Sequence, residues 1–496
     1  MLLLGLDIGT SSVKASVVDA HTQQVLASAQ YPDAEASIIA IEPGWAEQDP
    51  ESWWDFAQKA IQRVNSSGKY NSKDIAAIGI AYQMHGLVLV DADQQSIRNS
   101  IIWCDSRAVP FGEQAFADIG PEICLAHLLN SPGNFTASKL AWVKQHEPAN
   151  YAKATKLMLP GDFIAMKLTG DITTSNSSLS EGIFWDFQAN EVSADVMDYY
   201  GFEAGLIPEI KPVFGEHGRV SAAMATTLGL TAGIPVTYKA GDQPNNALSL
   251  NVLEPGEVAA TAGTSGVVYA VSDQVSYDPQ SRVNTFAHVN HQRQDNQTRL
   301  GILLCINGTG ILNSWTKANL GKALSYPEMN ELASQVPIGS NGLRILPFGN
   351  GAERMLANRN IGAQVLNLDF NQHTQNHWFR AVQEGIACSF RYGMELMASM
   401  GAKPSVIRAG KANLFLSDLF GQTLVNLTQT PVELYDTDGA KGAALGAGIG
   451  LGIYQQPKEA FEKLKKLGEI NPEEAVSDQY EEIYQDWHGG LQKALM

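Results

Sequence analysis

A strand–turn–strand pattern that occurs twice, half a chain apart, constrains the fold of this sequence more than any other feature. In the first copy an apolar run ends at Asp7, a Gly-Thr-Ser-Ser turn follows at residues 9–12, and apolar alternation then resumes. The second copy, residues 258–270, has the same order of apolar run, Gly-Thr-Ser turn and apolar run. Each copy predicts two antiparallel strands joined by a tight turn. The repetition predicts two similar halves that each present one hairpin to one ligand.

The residues of the first turn indicate that this ligand carries phosphate. Gly9 lets the backbone approach a ligand closely, Thr10 and Ser11 offer hydroxyl groups, and the N–H groups of such a turn form an anion-binding concavity. Asp7 cannot face phosphate without a cation between them, which predicts Mg²⁺ bound partly through water. A single copy could equally be an ordinary hairpin with a polar turn, and the second copy favours phosphate. Ala262 precedes the second glycine, so the two halves are not equivalent.

The composition is that of a folded, acidic protein. The 496 residues include 34 lysines and arginines against 52 aspartates and glutamates, a net charge of −18, and 44% are hydrophobic. This length suffices for two large domains with ample core. Nucleic acid is not expected as a partner, because neutralising its phosphates requires a basic face.

The cysteines and the apolar segments bear on location. The four cysteines show neither close pairing nor metal-ligand spacing, so we expect buried, reduced thiols in a cytosolic protein. No secretory signal is visible. The best membrane candidate, residues 442–452, is too short to span a bilayer and is rich in glycine and alanine. We expect a cytoplasmic protein without a membrane partner, in which residues 442–452 form a close-packed internal helix.

Polar residues follow the buried strand predicted at residues 75–81. The sequence Gln-Met-His at residues 83–85 occupies the end of this strand, a position that commonly lines a ligand crevice in α/β sheets. His85 could equally be a hydrogen-bonded core histidine. Asp105 and Arg107 follow a later strand, where they either form a structural ion pair or reach a polyol, and the sequence leaves both alternatives open.

Asp242 is a candidate general base. It follows the strand predicted at residues 234–240, precedes a helix and comes shortly before the second phosphate-type turn. A carboxylate in this place can take a proton from a substrate hydroxyl. Helix capping is the alternative, and position alone favours the cap.

Other segments are interpreted more simply. The turn at residues 408–413 leads from a strand into a helix, and its glycine allows close approach to an adenine or ribose. Residues 135–136 and the serine-rich residues 173–178 are interpreted as insertions that shape a substrate pocket. Trp53 lies at helical spacing with other apolar residues, so it is predicted to belong to the core.

In combination these motifs resemble those of the FGGY carbohydrate kinases, a family of the actin-like ATPase superfamily, and within it the xylulokinases. The matching motifs lie at residues 7–11, 45–54, 83–86, 241–242 and 263–266, and the resemblance extends to about residue 452. It implies an α/β fold of two actin-like ATPase (ribonuclease H-like) domains with a cleft between them. The implied domains are residues 1–241 and 242–452, followed by a helical tail at 453–496.

The resemblance also implies roles for individual residues. Asp242 would be the catalytic base and Asp7 the acidic residue associated with Mg²⁺, and both would contact the metal. The residues implied for the sugar are Gln83, Met84, His85, Trp103 and Gln243. Those implied for ATP and its phosphates are Gly9, Thr10, Ser11, Gly263, Thr264, Gly310, Gly410 and Asn413.

The activity that the resemblance implies is ATP-dependent phosphorylation of a ketopentose, D-xylulose to D-xylulose 5-phosphate. L-xylulose, ribulose, gluconate and glycerol stay open as substrates, since Gln243 follows the glycerol kinase pattern. A non-catalytic actin-like ATPase scaffold is the alternative from another class. Residues 408–411 are Arg-Ala-Gly-Lys where relatives have two or three glycines, so nucleotide fit should differ, and Arg408 or Lys411 could meet a phosphate. The implied partners are the sugar and ATP, and the resemblance allows a homodimer.

Overall fold

The computed structural model describes residues 1–292 and 297–496. Its strands are β1 (Leu2–Ile8), β2 (Val13–Asp19), β3 (Val25–Tyr31), β4 (Glu47–Gln48), β5 (Ile75–Tyr82), β6 (Val88–Val90), β7 (Ser100–Ile101), β8 (Lys156–Met158), β9 (Thr173–Thr174), β10 (Trp185–Asp186), β11 (Glu191–Val192), β12 (Glu209–Ile210), β13 (Val236–Gly241), β14 (Glu257–Ala262), β15 (Gly266–Ser272), β16 (Asn284–Ala287), β17 (Leu300–Ile306), β18 (Arg344–Leu346), β19 (Gln364–Leu366), β20 (Val406–Gly410), β21 (Val432–Tyr435) and β22 (Lys466–Ile470). Its α-helices are α1 (Pro50–Asn65), α2 (Val109–Ile119), α3 (Pro121–Ile123), α4 (Thr136–His146), α5 (Pro148–Tyr151), α6 (Pro160–Thr169), α7 (Asn176–Glu181), α8 (Ala194–Tyr200), α9 (Ala222–Leu228), α10 (Asp242–Ser249), α11 (Gly310–Asn319), α12 (Tyr326–Ser334), α13 (Gln375–Ser399), α14 (Asp418–Thr428), α15 (Gly439–Gly450) and α16 (Ser477–Ala494).

Both predicted hairpins are present, and each lies inside a larger sheet. β1 and β2 are antiparallel, with Ile8 opposite Val13 across the first turn. β14 and β15 are antiparallel, with Ala262 opposite Gly266 across the second turn. The two copies of the sequence pattern therefore fold alike.

The two sheets repeat one topology. The first sheet has the order β13-β5-β1-β2-β3, in which β13, β5 and β1 are parallel and β2 is antiparallel to both of its neighbours. In the second sheet, β16-β17-β15-β14-β20-β21-β22, the five strands from β17 to β21 have the same order and directions. Because the carboxyl ends of parallel strands meet at one edge, β1, β5 and β13 deliver their following residues to one place. That place holds Asp7, residues 83–85 and Asp242.

Helix α15 comes from the second half of the chain but packs on the first sheet. A β-carbon at Gly5 of β1 or Gly79 of β5 would overlap the backbone of this helix. Helix α10 packs on it as well, and Asn245 Nδ2 donates a hydrogen bond to Gly439 O at 2.9 Å. The glycine- and alanine-rich segment is thus the close-packed internal helix that its composition predicts, and it connects the two halves.

Helix α1 supports the first hairpin. The side chain of Asp49 accepts a hydrogen bond from the Glu51 N–H at 3.0 Å, which caps the helix. Trp53 is 1% exposed and therefore belongs to the core. Its indole N–H donates to Gln48 Oε1 at 2.9 Å, which fixes an amide that reaches toward the first turn.

The segment predicted as a helical tail, residues 453–496, also contributes to the second sheet. β22 pairs antiparallel with β21, and Val432 lies opposite Ile470. This edge strand is largely exposed and charged, so no apolar alternation announces it in the sequence. Helix α16 buries Trp487, whose indole N–H donates to Ile345 O at 2.9 Å.

The expectation that all four cysteines are buried is wrong for two of them. Cys124 and Cys388 are buried, whereas Cys104 and Cys305 are exposed. None of the helices in residues 1–292 and 297–496 combines the length and the apolar character needed to cross a bilayer.

Candidate active site

Asp242 is the first residue of α10 and directly follows β13. Gly241, not Asp242, is the N-cap residue of α10, so the capping alternative is not the observed geometry. Burial and the charge of Asp7 raise the pKa of Asp242 to about 7, against the lowering effect of hydrogen bonds from Gln243. A carboxyl with a pKa near neutrality can take up and release a proton under working conditions.

Asp7 lies at the end of β1 beside the start of α15. Burial and the charge of Asp438 raise its pKa to about 6, against the lowering effect of Lys14. Lys14 is itself paired with Asp438 at 2.6 Å, and Asp438 accepts a hydrogen bond from the Lys441 N–H at 2.9 Å. The charge of Asp7 also raises the pKa of Asp242, so the two carboxylates lie within electrostatic reach of each other, and such a pair suits a divalent cation.

The first turn is held by a chain of hydrogen bonds through Thr10. Gly9 N donates to Ser12 O at 3.0 Å, which closes the turn. Trp103 Nε1 donates to Thr10 Oγ1 at 3.0 Å, and Thr10 Oγ1 donates to Gln83 Oε1 at 3.1 Å. Ser11 is exposed at the tip. The turn is therefore fixed from both sides before any ligand binds.

Two residues predicted to contact the sugar, Gln83 and Trp103, form hydrogen bonds with Thr10 of the first turn. Gln83 is 2% exposed, and its Nε2 donates to Gln48 Oε1 at 3.1 Å, so both ends of its amide are engaged. Gln83 therefore positions Thr10, and its contact with the sugar stays a prediction. Trp103 is 54% exposed, and its ring stays accessible at the cleft.

Met84 and His85 line the wall next to Asp242. Met84 is buried against Gly241, the residue before the candidate base. His85 has a left-handed backbone with φ of +63°, and its ring lies 4.8 Å from Phe135 and 5.5 Å from Phe286 between centroids. These two aromatic rings come from different halves of the chain. The wall offers apolar faces on both sides of one polar ring.

The hydrogen bond of His85 decides its tautomer. Nδ1 lies 3.0 Å from Glu181 O, and a carbonyl can only accept, so Nδ1 carries the proton and Nε2 presents a lone pair. Burial, together with the charges of Lys139 and Arg354, lowers the pKa of His85 to about 3. His85 is therefore a neutral hydrogen-bond acceptor.

Glu181 and Lys139 support His85 and are not among the residues predicted from the sequence. Glu181 accepts from Tyr82 OH at 2.7 Å and from His85 N at 3.3 Å, and burial raises its pKa well above the usual range. Lys139 is fully buried and donates to His85 O at 2.8 Å. The sequence signal that could have identified them is a charged residue beside a segment interpreted as shaping the pocket. Lys139 follows residues 135–136, and Glu181 follows residues 173–178.

The second turn borders a cavity of about 400 Å³. Its lining includes four residues predicted for the nucleotide, Gly263, Thr264, Gly310 and Asn413. Gly310 N donates to Gly263 O at 2.9 Å, so the turn docks directly on the start of α11. Cavities at a helix N-terminus beside free N–H groups suit anionic ligands. Gly410 ends β20 near this cavity but does not line it.

Comparison with known proteins explains this arrangement. The model of the N-terminal domain of the FGGY family of carbohydrate kinases matches residues 2–249, and the model of its C-terminal domain matches residues 258–453. The chain belongs to the FGGY family of carbohydrate kinases. The predictions of this family, of its two-domain actin-like α/β fold and of a carbohydrate kinase are confirmed.

Relatives of this FGGY chain match it over almost its whole length. A xylulose kinase of Bacillus subtilis (strain 168) is 28% identical over 503 residues, which cover 97% of this chain and 96% of the relative. The crystal structure of xylulose kinase from Rhodospirillum rubrum has a TM-score of 0.89 at 26% identity and covers 99% of each chain. A gluconate kinase from Lactobacillus acidophilus has a TM-score of 0.90 at 22% identity, over 100% of this chain and 98% of its own, which shows likeness of fold alone.

Two charged groups of this FGGY chain have structural partners instead of ligand-facing positions. Arg107 bonds Asp105 at 2.7 Å and Glu47 at 2.6 Å, in full burial, so the polyol alternative for Asp105 and Arg107 is wrong. Arg408 pairs with Glu257 at 2.9 Å and Glu433 at 3.0 Å, on the two strands that flank β20. Arg408 is therefore not available to a phosphate, which corrects that expectation.

Proposed function

We propose that this FGGY kinase transfers the γ-phosphoryl group of ATP to the terminal hydroxyl of D-xylulose and releases D-xylulose 5-phosphate. The observation that carries the proposal is the position of Asp242. Asp7 is near enough to raise the pKa of Asp242, and Met84 packs against Gly241, the residue before Asp242. The similarity to xylulose kinases over 97% of the chain supports the choice of sugar.

The residues of the cleft account for the sugar half of the reaction. Asp242 accepts the proton of the attacking hydroxyl, for which a pKa near 7 is suited. The lone pair of His85 Nε2 accepts a hydrogen bond from another sugar hydroxyl. Met84, Phe135 and Phe286 supply apolar surface for the C–H faces of the sugar. Positioning of this kind provides much of the catalysis in phosphoryl transfer.

The two turns account for the nucleotide half. The cavity beside Gly263 and Gly310 receives the nucleotide. Gly9 N closes the first turn by donating to Ser12 O, and the N–H groups of Thr10 and Ser11 at its tip face the transferred phosphate. Asp7 and Asp242 would hold Mg²⁺, which when bound neutralises negative charge on the phosphates. The fit rests on the two carboxylates. The charge of Asp7 raises the pKa of Asp242, and the nearby Lys14 is paired with Asp438.

A coupled ADP-release assay with Mg-ATP and a panel of sugars tests the proposal. The panel comprises D-xylulose, L-xylulose, D-ribulose, glycerol and gluconate, and we expect the highest kcat/KM with D-xylulose. A clear preference for another member would overturn the substrate and keep the reaction. Equal, low release with every member would favour an actin-like ATPase that serves as a scaffold.

A further inference from the structure

Arg354 is a cation near the sugar motif that, among the described residues, bonds serines and not a carboxylate. It begins the short 3-10 helix Arg354–Leu356 in the second half of the chain. Its Nε donates to Ser281 O at 3.0 Å, and its Nη2 donates to Ser281 Oγ at 3.0 Å and to Ser131 Oγ at 3.4 Å. Within residues 1–292 and 297–496, no carboxylate forms an ion pair with it and no group bonds its Nη1. The guanidinium is fixed on one side and free on the other.

The guanidinium of Arg354 lies near the sugar motif. Its Cζ is 5.9 Å from the ring centroid of Phe135, and that ring packs edge-on against His85. The charge of Arg354 lowers the pKa of His85 and also that of Cys305. Asp242 in turn raises the pKa of Cys305, so Arg354 and the candidate base act on the same short stretch of β17. Arg354 therefore lies within electrostatic reach of both His85 and Cys305.

Such a cation is costly to keep unpaired. Burial lowers the pKa of Arg354 to about 10, which shows that the protein does not solvate it as well as water does. Asp278 opposes this effect from a distance but is itself paired with Arg282 at 2.7 Å. Arg107, by contrast, is matched by Asp105 and Glu47. Groups kept in this state commonly serve a ligand.

We propose that Arg354 is a specificity-determining residue that donates a hydrogen bond from Nη1 to an oxygen of the bound sugar. The inference rests on the proposed function, in that the sugar occupies the space beside His85 and Asp242. His85 accepts and Arg354 donates, so together they recognise an oxygen pattern instead of a charge.

The engaged nitrogens of Arg354 define the chemical class of the substrate. Bidentate binding of a carboxylate needs two parallel N–H groups on one edge of the guanidinium. Every such edge includes Nε or Nη2, which Ser281 and Ser131 already occupy. Nη1 is left for single hydrogen bonds, such as one to a keto or hydroxyl oxygen. Arg354 therefore offers the carboxylate of an aldonate such as gluconate no bidentate partner.

The test compares Arg354→Met with Arg359→Met, a matched change of an exposed arginine in the same loop. Steady-state kinetics and calorimetric binding are measured for D-xylulose, gluconate and ATP. For Arg354→Met we expect the KM and Kd of D-xylulose to rise about 10- to 100-fold, the loss typical of a hydrogen bond to a charged group. The kcat and the Kd of ATP should change by less than about threefold, since the contact is made equally before and during the reaction. Arg359→Met should resemble the wild type.

The outcomes separate this inference from the proposed function. If the wild type phosphorylates D-xylulose and folded Arg354→Met keeps its KM, Arg354 does not contact the sugar. If kcat and both Kd values change together, Arg354 is only a structural residue. If no sugar of the panel is phosphorylated by the wild type, the proposed function itself fails. Where Arg354→Met does not melt cooperatively, Arg354→Gln is tested, because its amide can still bond Ser281 but is too short to reach the sugar.

Discussion

The carboxylate of Asp7, at the end of β1, lies close enough to Asp242, at the start of α10, to raise the pKa of Asp242. The strand β5 separates β1 from β13 in the sheet, so the carboxylates extend from the same edge of the same sheet. This relationship joins the two halves of the proposed reaction, since one residue belongs to the phosphate turn and the other faces the sugar wall.

Replacing Asp242 by asparagine should remove the base and keep the site's shape. Turnover is expected to fall about 10²- to 10⁴-fold, the usual contribution of general base catalysis, because the amide cannot accept the hydroxyl proton. Calorimetry should show that D-xylulose still binds. Asp93→Asn, in an exposed turn, is the control and should keep the wild-type rate. A near wild-type rate for Asp242→Asn would exclude this residue as the base.

Turnover and sugar binding should respond differently to pH. Asp242 is protonated below its pKa and then cannot act as a base, so kcat/KM for the sugar should fall as the solution becomes more acidic. The midpoint should be no higher than about 7, because a bound cation lowers the pKa of a neighbouring carboxyl. Binding should change little over the same range, since His85 has a pKa of about 3 and stays neutral. A flat kcat/KM profile between about pH 5 and about pH 9 would contradict this account.

A methyl group at Gly310 should interfere with the nucleotide. The β-carbon of Gly310→Ala would overlap Gly263 O, where the second turn docks on α11. The turn must then shift, and we expect the KM for ATP to rise about tenfold or more, equivalent to about 1.4 kcal/mol, with sugar binding unchanged. Gly489→Ala is the control, because no atom lies within 4 Å of its added carbon. An unchanged KM for ATP in Gly310→Ala would place the nucleotide elsewhere.

Arg408 should matter for stability and not for ATP. Arg408→Met leaves the carboxylates of Glu257 and Glu433 without their common partner, and we expect a loss of about 1–3 kcal/mol and a lower melting temperature. The KM for ATP should stay within about twofold of the wild type, a change below about 0.5 kcal/mol. Lys411→Met removes one positive charge from an exposed position in the same turn, so it separates the effect of lost charge from the effect of the lost ion pairs. A tenfold rise in the KM for ATP with an unchanged melting temperature would restore the phosphate contact.

The edge strand β22 could not be predicted from the pattern of apolar residues. The strand β22 follows no apolar alternation, because Lys466 and Glu469 face solvent at the sheet edge. The composition of residues 442–452 predicts a close-packed helix but not the surface on which it packs. That surface is the first sheet, where Gly5 and Gly79 lie side by side only after β1 and β5 have paired. Close backbone approach is a property of two surfaces, and a single segment reveals only one of them.

The sequence by itself determined the two hairpins, the duplicated sheets and the place of Asp242, because strand alternation, turn composition and strand ends are local properties. Tertiary structure alone decided the partners of the charged residues. Arg107 pairs with Glu47 of β4 as well as with its neighbour Asp105, and Arg408 pairs with carboxylates on the two flanking strands. Among residues 1–292 and 297–496, Arg354 bonds two hydroxyls and a carbonyl, and its Nη1 has no partner. Whether a charge is paired, buried or left for a ligand depends on which distant segments pack beside it, and that information arises only when the chain has folded.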